Sequence, residues 1–334
     1  MTPEPAGTLA PADPLHALLA ELVPGADLFD VYRLNPPDGS VYLYVDRATG
    51  ARIVGKFYGP KWLRVDTIEA DLRSLLVHRE LENLQMLRDR GFGEGPHLVP
   101  RPLAARDDID WVLLEEFADG VNLHDALLQT VRWGGDLLRR SIVMAAELLA
   151  RLHAFAAPPD LLPPRETARY FEKLLVQLRQ SDILSSPATE RLRELGRRWE
   201  EGRVLADHVP VMIHGDATPE HFLHDEPRAR MYTIDVESLR LGDPAEDLGY
   251  LAGEIKHLFW AYTRDDEGNA EPFIRELYLA YSRAAALSAE ETARLTERAR
   301  FFMGCAELRI ARNAWLPMDK RKRLASEAEQ CLQV

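Results

Sequence analysis

The chain has 334 residues, long enough to bury the interiors of two lobes, and its 46% apolar and 28% charged content matches a globular protein rather than a disordered or fibrous one. Forty-one Lys and Arg against 54 Asp and Glu leave a net charge of −13, which repels a phosphate backbone, argues against nucleic acid as a partner and can steer in a cationic small molecule. Cys305 and Cys331 form no C-x-x-C spacing, so neither a disulfide framework nor a thiolate zinc site is expected, and a reducing cytoplasm fits.

Residues 1–14, rich in Pro and Ala, lack the basic and apolar regions of a signal peptide and are expected to form a flexible tail. Three runs ending at Tyr58, DLFDVYRL, VYLYVD and ARIVGKFY, are separated by NPPDGS and RATG, which predicts three antiparallel strands. Leu72, Leu75, Leu76, Leu81, Leu84 and Leu87 follow a helical period between Asp66 and Arg90, and Gly91 ends it. Val99 to Leu103 and Trp111 to Phe117 read as two further strands, and Ala118-Asp119-Gly120 as a break. The expected organisation is therefore a tail over 1–14, a strand-rich lobe over 15–117 and a helical lobe over 118–334.

In the second lobe, helices are expected over about 136–156, 165–202, 243–262, 270–285 and 288–313. Between Val209 and Leu241 they give way to VPVMIHGD and RMYTIDVE, two short apolar runs that close on charged residues and are expected to pair like a hairpin. The most apolar stretch, Ile142 to Ala157, contains Glu147, Arg151 and His153 and is shorter than the roughly 20 residues of a bilayer span, so no membrane partner is expected. A strand-rich lobe followed by a helical one is an α+β arrangement, and the join between lobes is a favoured place for a ligand.

The chemistry-bearing residues fall in Ile213-His214-Gly215-Asp216-Ala217-Thr218-Pro219-Glu220-His221-Phe222-Leu223, then Tyr232-Thr233-Ile234-Asp235-Val236-Glu237, then Gly242-Asp243-Pro244-Ala245-Glu246-Asp247-Leu248. In this order and spacing they resemble the H-G-D-x-x-x-x-N, I-D-x-[DE] and D-P-x-x-D-L pattern of the aminoglycoside phosphotransferase and choline kinase superfamily. Leu149-Ala150-Arg151-Leu152-His153-Ala154 is similar to the L-A-x-L-H helix of the same enzymes, and the match spans about Lys56 to Leu251. The resemblance implies a two-lobed, protein-kinase-like α+β fold with an antiparallel sheet in the N-lobe and a mainly helical C-lobe. It also implies transfer of the γ-phosphate of ATP to a hydroxyl of an amino sugar, sugar, amino alcohol or nucleoside, with Mg²⁺. The H-R-D, D-F-G and A-P-E motifs of protein kinases are missing.

Phosphoryl transfer needs metal ions and a cation on the phosphates and a carboxylate that orients the attacking hydroxyl. Asp216, at the end of an apolar run and before a Pro-containing loop, is the expected catalytic base, with His214 bracing its loop and Asp247 anchoring it. Asp235 closes the second run and is the expected metal ligand, since Mg²⁺ prefers carboxylate oxygens. Glu237, two residues on, would share its face if the strand continued and could support a second ion.

His221 stands where the resembling family has Asn. Imidazole is a softer ligand than an amide oxygen, so His221 is read either as a metal ligand or as a structural substitute. The alternative function it raises is a catalytically impaired, kinase-like nucleotide-binding module. In the first lobe Lys56 on the third strand matches the lysine that pairs with nucleotide phosphates. Glu80 is its expected helix partner and Glu82 the rival. Gly39 and Ser40 are left to cradle phosphate in place of a Gly-rich loop, and the backbone of Glu115-Glu116-Phe117-Ala118 is the expected hinge for the adenine edge.

Overall fold

Apolar and aromatic residues on alternating and doubly buried strand positions build one six-stranded antiparallel sheet. It belongs to the first of two compact units, Met1–Gly120 with Asp225–Glu237; the second is Val121–His224 with Ser238–Val334. The computed structural model describes all residues except 1–2, 35–39, 60–69, 156–160, 162–165, 203, 207, 264–269 and 334.

The first unit runs through β1 (Glu4–Thr8), α1 (Pro14–Leu22), β2 (Phe29–Arg33), β3 (Val41–Asp46), β4 (Arg52–Phe57), α2 (Ala70–Leu87), β5 (His97–Leu98), β6 (Pro102–Arg106) and β7 (Val112–Glu116). The sheet order is β1-β2-β3-β4-β7-β6. Leu15 and Leu19 of α1 pack on Phe29, Ile53, Phe57, Val112 and Leu114, so this helix closes one apolar face of the sheet. Asp13 caps it by accepting the Leu15 amide at 2.9 Å. After α2 the chain turns at Gly91, whose φ of +95° is open to glycine.

The expected flexible tail needs correction, because residues 4–8 are a strand. Glu4 lies opposite Arg33 and Thr8 opposite Asp30. All five of its residues are exposed, so backbone pairing rather than side-chain burial holds β1, and Pro5 is tolerated because the strand is the outer edge of the sheet.

The second unit contains β8 (Val121–Asn122), α3 (Leu123–Trp133), α4 (Leu137–His153), α5 (Thr167–Gln180), α6 (Ser186–Glu201), β9 (Val211–Ile213) and most of β10 (Phe222–Asp225). The first unit then regains the chain for β11 (Arg230–Thr233), which pairs in parallel with β5. β12 (Arg240–Gly242), α7 (Pro244–Tyr262), α8 (Glu271–Ala284), α9 (Ala289–Ala311) and α10 (Met318–Leu332) complete the second unit. The single helix expected over 165–202 is two helices. Asp182 takes a left-handed φ of +56°, and Ser185 as the cap with Pro187 in the first turn starts α6 afresh.

Neither apolar run forms the expected hairpin with the other. β9 pairs with β12, Ile213 opposite Arg240, whereas β11 pairs with β5. The boundary also differs from 117/118: the first unit continues to Gly120 and includes 225–237, a segment the sequence assigns to the helical lobe. In the second unit α7 and α9 lie very close. A Cβ at Gly249 would stand 2.5 Å from the Ala299 carbonyl, and one at Gly253 would stand 2.6 Å from the Ala306 Cβ.

Candidate active site

Lys56 is the centre of a charged cluster in the first unit. From Ile53 to Phe57 every residue of β4 is buried, so Lys56 is drawn inside with 7% of its side chain exposed. An ammonium group there is tolerated only beside acids. Its Nζ lies 2.6 Å from Glu80 Oε1, 2.6 Å from Asp235 Oδ1 and 3.3 Å from Glu115 Oε1. The hydroxyl of Tyr58 donates to the other oxygen of Glu80. Burial works to strip the Lys56 proton, but Asp235, Glu115 and Glu80 outweigh it and hold the group well above its ordinary value.

One ammonium does not neutralise this many acids. Burial pushes the Glu115 carboxyl up to about 7, with Lys56 opposing and Glu80 and Asp235 adding to the rise. Glu237 is pushed up to about 8 by burial and by repulsion from Glu80 and Asp235.

Asp235 enters the cluster from a left-handed backbone, φ +57°, a conformation Asp adopts more readily than most residues. The carbonyl of Val236 accepts from Asn83 Nδ2 of α2 at 2.8 Å, which ties this bend to the helix that carries Glu80. Strand β11 has already ended at Thr233, and Glu237 sits on a short 3₁₀ turn, Val236–Ser238. It therefore reaches Asp235 through a turn and not through the strand alternation expected from sequence. One carboxylate oxygen from each of Glu80, Asp235 and Glu237 lies within 4.8 Å of the others. Such hard oxygen donors fit Mg²⁺.

The expected hinge is partly engaged within its own unit. The Glu116 amide donates to the Arg101 carbonyl at 2.9 Å and the Phe117 amide to the Arg52 carbonyl at 3.3 Å. Arg101 pairs with the Glu116 carboxylate, and the Arg52 guanidinium lies over the Phe117 ring. Ala118 is buried. Ser40 gives its carbonyl to the Phe57 amide at 2.8 Å, and Gly39 lies outside the described residues.

In the second unit the His214-Gly215-Asp216 turn is held from beneath. Asp247, at the start of α7, accepts the amides of His214 at 2.7 Å and Gly215 at 2.9 Å. His153 of α4 hydrogen-bonds through Nε2 to the same carboxylate at 3.1 Å, while its Nδ1 lies 2.8 Å from the Tyr281 hydroxyl. Burial works to raise the Asp247 carboxyl, but the bond from His153, that residue's charge and the Gly215 amide bring it below its usual value.

Gly215 has φ +80°, and a Cβ there would collide with Arg240 Nη1 and the Ser238 carbonyl. Arg240 Nη1 donates to the Gly215 carbonyl at 3.1 Å, and its Nη2 to Glu246 at 2.6 Å. His214 is fully buried, its Nδ1 accepting the Asp216 amide at 3.4 Å and its ring stacked near His221.

Asp216 itself remains 32% exposed, and its Oδ1 is 2.6 Å from Arg309 Nη1. Burial works to raise its carboxyl, and the charge of Arg309 with that of His221 outweighs burial, so it stays ionised below the usual carboxylate range. His221 Nδ1 donates to the Asp216 carbonyl at 2.8 Å. His221 belongs to the second unit, and the Glu80, Asp235 and Glu237 group to the first.

The sequence profile of the phosphotransferase enzyme family matches residues 63–297. The chain belongs to this family. No curated protein sequence matches it. Among solved structures, the ADP-bound aminoglycoside phosphotransferase APH(2'')-Ib is 14% identical with a TM-score of 0.60, covering 95% of this chain and 96% of that one. Choline kinase LicA from Streptococcus pneumoniae is 16% identical with a TM-score of 0.60, covering 95% and 96%. Plasmodium vivax ethanolamine kinase is 15% identical with a TM-score of 0.57, covering 87% and 78%. The phosphotransferase thus has the two-lobed, protein-kinase-like α+β fold.

Sequence reasoning finds Lys56 with Glu80 and the loop anchor Asp247, and it misses Arg309, Glu254 and the Glu115 carboxylate. Arg309 stands in the MGCAELRIA stretch of α9, where it and Glu307 are the two charges among mostly apolar residues, and that is the signal available. Glu254 shares a helical face with Asp247 and Tyr250, seven and four residues before it. Glu115 was read for its backbone alone.

Proposed function

We propose that this phosphotransferase moves the γ-phosphate of ATP to a hydroxyl group of a small molecule. The observation that carries this reading is the buried Lys56 ammonium held between Glu80 and Asp235, a cation fixed for phosphate oxygens beside carboxylates fixed for a metal. Lys56 would bind and orient the nucleotide phosphates, with the backbone at Ser40 beside them and the Ala118 amide at the adenine edge. Asp235 and Glu237 would hold Mg²⁺, which when bound neutralises charge on the phosphate oxygens.

Asp216 would accept the hydrogen bond of the acceptor hydroxyl, orient its oxygen and take its proton as the new phosphate ester forms. Asp247 and His214 would keep that carboxylate at the mouth of its turn. The acidic balance of the chain favours a cationic acceptor.

The test compares Asp216→Asn with Asp235→Asn, using binding of a fluorescent ADP analogue with Mg²⁺ and turnover of ATP with a panel of hydroxylated metabolites and with water. Asp216→Asn should retain nucleotide and lose turnover by about 10²- to 10⁴-fold, the range of a positioned base. Asp235→Asn should lose both together. Nucleotide binding with no Asp216-dependent turnover on any acceptor would favour the kinase-like binding module that His221 raises.

A further inference from the structure

Arg309 lies 93 positions after Asp216 in the chain and on a different element, yet its guanidinium is fixed on three sides. Nη1 donates to Asp216 Oδ1 at 2.6 Å, Nη2 donates to Glu254 Oε1 at 2.9 Å, and the group lies 5.0 Å from the centre of the Tyr250 ring. Glu254 and Tyr250 both belong to α7, the helix whose Asp247 holds the backbone of the same turn. Close passage of α7 over α9 at Gly249 and Gly253 sets the distance between the two helices and so the reach of Arg309.

Asp216 is thus held twice from α7, through its turn's amides by Asp247 and through its side chain by the Glu254–Arg309 pair. The grip is one-sided. Arg309 takes Oδ1, whereas Oδ2 is 3.9 Å from His221 Nδ1, whose hydrogen goes to the Asp216 carbonyl instead.

We propose that Arg309 is a positioning residue for the transfer reaction: it locks the Asp216 carboxylate by Oδ1 in one orientation and reserves Oδ2 for the acceptor hydroxyl. This rests on the reading of Asp216 as the base. In the transfer step the acceptor O–H proton passes to Oδ2 while its oxygen forms the new P–O bond and the bond to ADP breaks. Arg309 exchanges no proton. Glu254 and the Tyr250 ring keep the guanidinium from following the carboxylate if it rotates.

The experiment uses Arg309→Met and the double variant Arg309→Met with Glu254→Gln, which avoids leaving Glu254 buried without its cation. Each is prepared with Asp216 intact and with Asp216→Asn. Mg²⁺-dependent ATP hydrolysis, with water as acceptor, and affinity for a fluorescent ADP analogue are measured, and a crystal structure of the double variant is determined. Loss of orientation should lower kcat on the order of 10²-fold, the cost of a small misplacement of a reacting group, with nucleotide affinity unchanged. On the Asp216→Asn background the same changes should cost nothing further.

An equal loss on both backgrounds, or a kcat within twofold of the parent, overturns the proposal while leaving the transferase reading intact. If the parent shows no Asp216-dependent turnover with water or with any of the hydroxylated metabolites, the transferase reading fails, and the crystal structure decides the present point. A reoriented or multiply placed Asp216 carboxylate supports the lock, and an unmoved one overturns it.

Discussion

Replacing Glu115 by Gln should change how stability depends on pH more than it changes stability at any acidic pH. The residue is 3% exposed, its Oε1 is 3.3 Å from Lys56 Nζ, and its Oε2 is buried without a hydrogen-bond partner among the described residues. Its folded value of about 7 stands against an ordinary 4.5. Between those values the folded chain keeps a proton that the unfolded chain has released. The contribution is present in full below about pH 4.5 and is lost as pH rises through about 7.

A rise of about two and a half units, at about 1.4 kcal/mol each, makes that loss roughly 3 kcal/mol. An amide of the same size carries no charge at either pH. Glu115→Gln should therefore match wild type near pH 5 and exceed it by up to roughly 3 kcal/mol near pH 8. Urea unfolding followed by tryptophan fluorescence at pH 5, 6, 7 and 8, in EDTA, measures the difference. Adding Mg²⁺ should narrow the gap if the cation neutralises the cluster. Parallel stability curves would refute the reasoning, and a variant that grows weaker than wild type as pH rises would show that an ionised Glu115 is a favourable partner of Lys56.

Two further outcomes follow from the second unit. Gly215→Ala forces a side chain into a left-handed position against Arg240 and Ser238, at a backbone cost of about 1–2 kcal/mol before any collision is counted; its melting temperature should fall and its ATP turnover should drop with it, and wild-type values for both would contradict the geometry. His221→Asn replaces imidazole by an amide whose N–H can still reach the Asp216 carbonyl and whose oxygen is a harder donor. If His221 ligates metal, activity with Mg²⁺ relative to Mn²⁺ should rise; an unchanged ratio assigns His221 to holding the Asp216 loop.

The parts of the fold legible in the sequence are those written locally. DLFDVYRL, VYLYVD and ARIVGKFY carry their strands in their own side chains, and β2, β3 and β4 lie within them. EPAGT does not, because β1 is held by backbone pairing to β2 while every one of its side chains is exposed. Pairing partners are equally non-local. VMI and RMYT each form a strand, but nothing in either run names β12 or β5 as its neighbour. The bend that brings Asp235 to Lys56 is a single left-handed residue stabilised by an asparagine on α2, a contact across 153 positions.

The same division runs through the candidate site and explains why its acids were easier to name than its cations' obligations. A motif fixes a residue's place on its own turn, and so Asp216, Asp235 and Asp247 could be read from short segments. A buried charge also demands a counter-charge, and that demand does not say where along the chain the partner stands. Lys56 could be matched to Glu80 because family resemblance supplied the pairing, but the same ammonium also answers Glu115, which periodicity marks only as one residue of an apolar strand. Asp216 can be singled out as a candidate base without any hint that its charge is balanced from α9. Arg309 becomes intelligible only once Gly249 and Gly253 bring α7 against α9, since that approach lets one guanidinium meet two carboxylates and a ring. The orientation of the Asp216 side chain is then set by helix packing, and on the proposed reading residues with no chemistry of their own determine which of its oxygens is left for an acceptor.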